Sequence, residues 1–235
     1  MTETVTGLIL RTRPLTETSL IVYWLTPTLG RITTVAKGAR RPQSPFRGQL
    51  DLFYLGQLSF ARSTRSELHT LREVRLQDTH ATLRQDWLYL QQASYCAQLI
   101  EQTTEMEGPV PGVFDLTLAF LEYLVRHPPQ PRTVFAFELR LLEQLGLRPD
   151  LEQSRLGLET RQLVKDLLRL EWPDLAGLHA SGAQVLELGR FLHGFLIYHL
   201  GKVPISRGEA LLRPSRTAPK LARTSQQMLE NPAER

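Results

Sequence analysis

Arg31-Ile-Thr-Thr-Val-Ala-Lys37 reads as a β-strand, and the stretch after it, Gly38-Ala-Arg-Arg-Pro-Gln-Ser-Pro-Phe-Arg-Gly48, cannot prolong one. The β-branched run suits a pleated, half-buried surface. Gly38 frees the backbone to turn, while Pro42 and Pro45 lack the N–H that a strand ladder or a helix interior requires. Working outward, residues 5–10 and 19–25 precede this strand, and residues 50–61, bent near Gly56, and 67–76 follow it. All are rich in Val, Ile, Thr and aromatic residues and are separated by turn formers. Five short strands whose one long connection joins the third to the fourth predict a five-stranded OB-type β-barrel. Spacing alone also permits closure as an SH3-like barrel.

After Thr79 the hydrophobic period changes from two to between three and four. Trp87, Leu88, Leu90, Gln91, Tyr95, Leu99 and Ile100 follow one helix, and further helices are predicted over residues 113–126, 133–145, 160–170, 181–200 and 206–212. Gly146, with Pro149 just beyond, marks one stop, and His127-Pro-Pro-Gln-Pro131 another. The fold class is therefore α+β: a barrel domain over residues 1–80, an all-α helical domain over 81–212, and a tail over 213–235. That tail is poor in apolar residues and is expected to be disordered. Stripes such as Phe114, Leu118, Leu121 and Val125 read as bundle core.

Charge is distributed along the chain in blocks. Residues 1–85 hold 12 Lys and Arg against 6 Asp and Glu, residues 86–160 hold 5 against 11, and residues 161–235 hold 11 against 7. The sign change near residue 85 coincides with the change of period. Within the first block, residues 18–50 contain Arg31, Lys37, Arg40, Arg41 and Arg47 and no carboxylate. Uncancelled cations on a proline-braced loop point to a polyanionic partner, against the alternative of a solvated charged face.

Lys37 and Arg31 share strand parity, so both are expected to project from one face and line a groove about 20 Å long, at about 3.3 Å per residue. Arginine's planar fork grips a phosphate through two hydrogen bonds. Five such contacts predict a slope of log affinity on log salt near −3.5, at about −0.7 per cation on single strands. Phe46, on the loop itself, is the candidate for base stacking. Arg62 and Arg65, flanking a Ser-Thr turn, complete the candidates for contact with the polyanion. A second basic pocket, built from Arg190, Lys202, Arg207 and Arg213, is the candidate for an acidic, hydrophobic peptide.

Other chemistries find no support in the residues. His193 and His199 are six positions apart, about 120° around a helix, and do not converge as ligands. His69, His80, His127 and His179 lack a neighbouring thiol or carboxylate at ligand spacing. One cysteine, Cys96, can form neither an internal disulfide nor a cysteine-rich zinc site. Phosphate loops, nucleophile elbows and His-Glu-x-x-His pairs are absent, and no segment has the apolar length of a membrane span. The expectation is a soluble, cytoplasmic, non-catalytic protein without metal or cofactor.

The chain resembles the RecO family of bacterial recombination mediators. The resemblance rests on Gly7-Leu-Ile-Leu, Leu15-Thr-Glu-Thr-Ser-Leu-Ile-Val22, Leu29-Gly-Arg31, Val35-Ala-Lys-Gly-Ala-Arg-Arg-Pro42 and Phe46-Arg-Gly48. Phe137-Glu-Leu-Arg-Leu-Leu-Glu-Gln-Leu-Gly-Leu-Arg-Pro149 and the segment from Tyr198 to Arg207 extend it more thinly. The resemblance implies an OB-fold with a helical domain, binding to single- and double-stranded DNA, annealing of complementary strands, and loading of RecA onto strands coated by single-strand-binding protein. Implied partners are RecR and the acidic tail of single-strand-binding protein, in a bacterial cytoplasm at the nucleoid. Many members carry a four-cysteine zinc module after the segment matching residues 145–151. This chain runs through Glu152-Gln-Ser-Arg-Leu-Gly-Leu-Glu-Thr160 instead, so no zinc is carried over. The alternative from another class is a protein-interaction adaptor whose basic loop is not a DNA site.

Overall fold

The structure, a computed structural model, describes residues 2–212. The tail at 213–235, and Arg213 with it, lies outside the described residues. Five strands, β1 (Thr2–Pro14), β2 (Leu20–Thr26), β3 (Gly30–Ala36), β4 (Leu55–Ala61) and β5 (Leu68–Asp78), close a barrel in the order β1-β2-β3-β5-β4. β1 closes the ring by pairing antiparallel with both β2 and β4, and β3 meets β5 in parallel. This is the OB-type closure, and the long connection between β3 and β4 falls where the sequence placed it.

The barrel interior is filled by Ile9, Val22, Trp24, Ile32, Ala36, Leu58, Phe60, Leu71 and Val74. These come from alternate positions of the strands, except that the β4–β5 register shift opposite Ser59 and Phe60 sets Leu71 and Val74 three apart. Trp24 buries its ring because Nε1 donates to Thr34 Oγ1 at 2.9 Å inside the barrel, leaving no unpaired indole donor. The fourth strand is shorter than its apolar run, starting at Leu55 rather than at residue 50. Phe53 breaks it: the residue has φ of 62°, is held by its N–H to Ile9 O at 2.8 Å, and its carbonyl lies 2.7 Å from His80 Nδ1. The bend expected at Gly56 is a register shift in the β4–β5 pair. A side chain at Gly56 would place Cβ 2.7 Å from Arg75 O.

Helices α1 (Trp87–Thr103), α2 (Val113–Leu124), α3 (Pro131–Gln144), α4 (Leu158–Arg169), α5 (Gly182–Leu200) and α6 (Arg207–Ala210) follow. α3 lies at their centre, packed by α1, α2, α4 and α5, and its Val134, Phe135, Phe137, Leu139 and Leu142 are fully buried. The helical core does not stop at the barrel: Leu8, Leu10, Leu25 and Phe53 belong to it. Caps are supplied locally and at long range. Ser181 and Gln184 form a reciprocal capping box on α5. α4 starts at Gly157, which has no capping side chain, and Glu187 from α5 accepts its N–H at 2.8 Å and the Thr160 hydroxyl. These hydrogen bonds hold the Glu187 carboxyl below its ordinary range, so the stabilisation is present at neutral pH and lost on acidification.

α6, a single turn, is tied down by charge. Arg207 Nε and a second guanidinium nitrogen donate to both oxygens of the fully buried Glu138, at 2.7 and 2.9 Å, and Tyr95 Oη donates to Glu138 Oε1 at 2.5 Å. Burial pushes the Tyr95 hydroxyl up, reinforced by Glu138. Burial alone would lower Arg207, but the Glu138 carboxylate keeps it raised. Removing one partner of such a pair leaves an uncompensated buried charge. Glu138→Ala is therefore expected to cost about 3–5 kcal/mol, read as a lowered urea midpoint, with most of it returned by pairing Glu138→Leu with Arg207→Met.

Candidate nucleic-acid interface

The loop after β3 is a chain of tight turns rather than a floppy connection. Arg41 N–H donates to Gly38 O, Ser44 to Arg41 O, Arg47 to Ser44 O and Gln49 to Phe46 O, all within 3.0–3.1 Å. Gly38 and Gly48 sit at φ of 69° and 72°, where a Cβ would strain the turn. The loop is also tied to the turn between β1 and β2: Arg40 N–H donates to Thr18 O at 2.9 Å and Gly38 N–H to Ser19 Oγ at 3.3 Å. Phe46 anchors it from below, 7% exposed and packed into the barrel core.

Two hollows open on either side of Arg41. One, about 370 Å3, is lined by Arg40, Arg41, Pro42, Arg47 and Gly48 over Leu20 and Leu50. The other, about 390 Å3, is lined by Lys37, Gly38 and Arg41 with Leu15, Thr16, Thr18, Ser19 and Val35. No carboxylate lines either hollow. Lys37, Arg40, Arg41 and Arg47 are exposed, and among the described residues none of them forms an ion pair. Their fixed contacts are to backbone carbonyls: Arg40 to Thr16 O and Arg47 to Pro42 O. The charge is thus positioned without being cancelled, as an anion-binding surface requires.

Four candidates behave differently from these four cations. Arg31 has the expected parity, but its Nε donates to Thr104 Oγ1 at 2.8 Å, a second nitrogen donates to Thr104 O, and burial lowers its pKa. Met106 lies against Thr33 on the same face, so the single groove from Arg31 to Lys37 is interrupted. Phe46 is core, not a free stacking ring. Arg62 sits on the β4–β5 turn beside the start of β1, gripping Glu3 at 2.6 and 3.0 Å and Glu107 at 2.5 Å. Those carboxylates raise its pKa, and Glu3 is held low in return. Arg65, on the same turn, is exposed and unpaired but lines neither hollow.

Arg13, not singled out from sequence, stands beside this rim but lines neither hollow. It is exposed and stands at the end of β1, level with Ile21 of β2 and Val35 of β3.

The second basic pocket does not assemble as expected. Arg207 is buried on Glu138, and Lys202 is exposed just past α5. Arg190 instead borders a hollow of about 460 Å3 on α5, with Arg155, Leu156, Ala183, Leu186, Glu187 and Phe191. Its one carboxylate, Glu187, is engaged by the α4 start. Among the described residues no cluster of three His, Cys, Asp or Glu could hold a metal ion, and no helix is long and apolar enough to cross a membrane.

A closed OB-type barrel with an unpaired cationic rim and a helical half continuous with its core defines a class, the OB-barrel proteins with a helical extension. Two domain models of one family match this chain: that described as Recombination protein O N terminal over residues 1–80, and that described as Recombination protein O C terminal over residues 84–156. The chain belongs to the RecO family. It is 32% identical over 143 residues to the DNA repair protein RecO of Rhodopirellula baltica, covering 61% of this chain and 53% of that one. Against the protein of the same name from Bacillus pumilus it is 31% identical over 147 residues, 63% of this chain and 57% of the other. The Cyanothece protein of that name is 31% identical over 173 residues, 71% and 56% of the two chains. The chain thus spans a little over half the length of the curated relatives it matches.

With Arg31 committed elsewhere, four rim cations predict a salt slope near −2.8 for single-stranded DNA, at about −0.7 each. Arg31→Ala is expected to lower thermal stability and leave that slope unchanged. A salt series of fluorescence-anisotropy titrations checks both.

Proposed function

We propose that the protein is a DNA repair and recombination mediator that binds single- and double-stranded DNA through Lys37, Arg40, Arg41 and Arg47 and anneals complementary strands. The observation that carries this reading is the placement of four unpaired cations around two carboxylate-free hollows on one rim. Complementary strands repel each other through their phosphates. A surface that neutralises some of those charges lowers the cost of approach and leaves the base edges free to pair. Nothing in this action requires a catalytic group. Membership of a family whose relatives carry the name DNA repair protein supports the same reading.

In this reading residues 1–80 and 81–212 act as the DNA-binding and the helical domain. The protein helps to load RecA onto strands coated by single-strand-binding protein, with RecR as a partner. The apolar hollow on α5, flanked by Arg155 and Arg190, suits the acidic, hydrophobic tail of single-strand-binding protein: cations would meet its carboxylates and Leu186 and Phe191 its apolar end.

Annealing of two complementary labelled strands tests the first part. Lys37→Ala/Arg40→Ala/Arg41→Ala is expected to slow it at least tenfold and flatten the salt slope to about −0.7. Unchanged affinity and slope would leave the adaptor reading in its place. Arg155→Glu/Arg190→Glu is expected to weaken binding of an acidic tail peptide at least tenfold, by anisotropy, with DNA binding intact.

A further inference from the structure

Between the basic rim and the helical half, the outward face of β1, β2 and β3 carries a ladder that the rim does not use. The strand registers put Arg11, Tyr23 and Thr33 on one rung and Arg13, Ile21 and Val35 on the next. The rungs are about 6.8 Å apart, two residues at about 3.4 Å each. Val35 borders the same hollow as Lys37 and Arg41, so the ladder leads from the rim to Tyr23. Past Tyr23 the face is closed, because Leu8, Leu10 and Leu25 enter the helical core and Met106 lies on Thr33.

Tyr23 is half-buried, and the Arg11 guanidinium covers its ring at 4.0 Å from the centroid. Arg11 is held there by Glu101 of α1, with Nε 3.1 Å from Oε1, while its side chain remains 46% exposed. A guanidinium over an aromatic face occupies the place that a nucleobase takes when it stacks. A strand running inward from the rim would bring phosphates first to Arg13 and then to Arg11. Phosphate and carboxylate oxygens accept the same guanidinium donors, so the strand competes with Glu101 for Arg11.

We propose that Tyr23 is a nucleobase platform capped by Arg11, with the Glu101 carboxylate as the latch that a strand phosphate displaces. The inference rests on the reading that the rim binds nucleic acid, and it names where the first base beyond the rim stacks. Opening the platform takes one phosphate and one unstacked base together. It therefore selects an extended single strand over a duplex, whose bases already stack on each other.

The test uses the full chain and two fluorescent oligonucleotides of equal length, one oligothymidylate and one abasic, titrated at several salt concentrations. Tyr23→Ala is expected to weaken thymidylate binding about tenfold and leave abasic binding unchanged, and Tyr23→Phe to bind as the parent does. Tyr23→Leu, which keeps apolar bulk without a π face, serves if circular dichroism shows the alanine variant unfolded. Glu101→Gln is expected to tighten both ligands several-fold, because Arg11 no longer has to be released from a carboxylate. Equal losses on both oligonucleotides, no loss with Tyr23→Ala, or no tightening with Glu101→Gln would overturn the proposal. If Lys37→Ala/Arg40→Ala/Arg41→Ala abolishes binding while Tyr23→Ala changes nothing, the platform alone falls. If the triple variant binds normally, the rim reading falls by itself.

Discussion

The parallel contact between β3 and β5 closes the barrel over only three residue pairs, Thr33 to Val35 against Leu68 to Thr70, and the first part of β3 would otherwise be an open edge. The segment after α1 occupies it. Met106 bridges to Arg31 in parallel, Glu107 N–H donates to Arg31 O at 2.7 Å, and Gly30, at φ of 66°, leaves room for Gly108, whose carbonyl oxygen would lie 2.5 Å from a Cβ there. Covering a strand edge in this way removes a site for unwanted pairing. It also fixes the helical half on the barrel, draws in Arg31 through Thr104, and brings Glu107 to Arg62 and to His69, whose Nε2 lies 3.0 Å from it without hydrogen-bond alignment.

That one attachment sorts the barrel's cations. Those near the helical half are answered by carboxylates: Arg11 by Glu101, Arg62 by Glu3 and Glu107, Arg84 by Asp51. Those on the rim beyond β3 are not. Net charge therefore says little about this molecule; the rim is marked by four exposed cations without ion pairs around two carboxylate-free hollows. The acidic block of residues 86–160 supplies two of the pairing partners, Glu101 and Glu107.

Much of this was legible in the sequence, because strand and helix periods are local and the position of the long connection constrains topology. All five strands and all six helices lie where the hydrophobic pattern and the breakers put them, with shifts of a few residues at the ends. The site was legible in part. Lys37, Arg40, Arg41 and Arg47 share a rim because they share a loop. The fates of Arg31, Arg62 and Arg207 were hidden, since each is decided by a residue 45 to 73 positions away. Phe46 was hidden for a different reason: nothing in a Pro-Phe-Arg run tells whether the ring turns up to solvent or down into a barrel.

That downward turn has a consequence for how the loop meets a ligand. With Phe46 fixed in the core and the backbone closed by successive turns, the ordering of this segment is a cost of folding and not of association. Side chains still have to settle, but the frame carrying them does not. Contact with a long, uniform polymer can then be made and released repeatedly without the loop melting and reforming, which suits the annealing proposed for this surface.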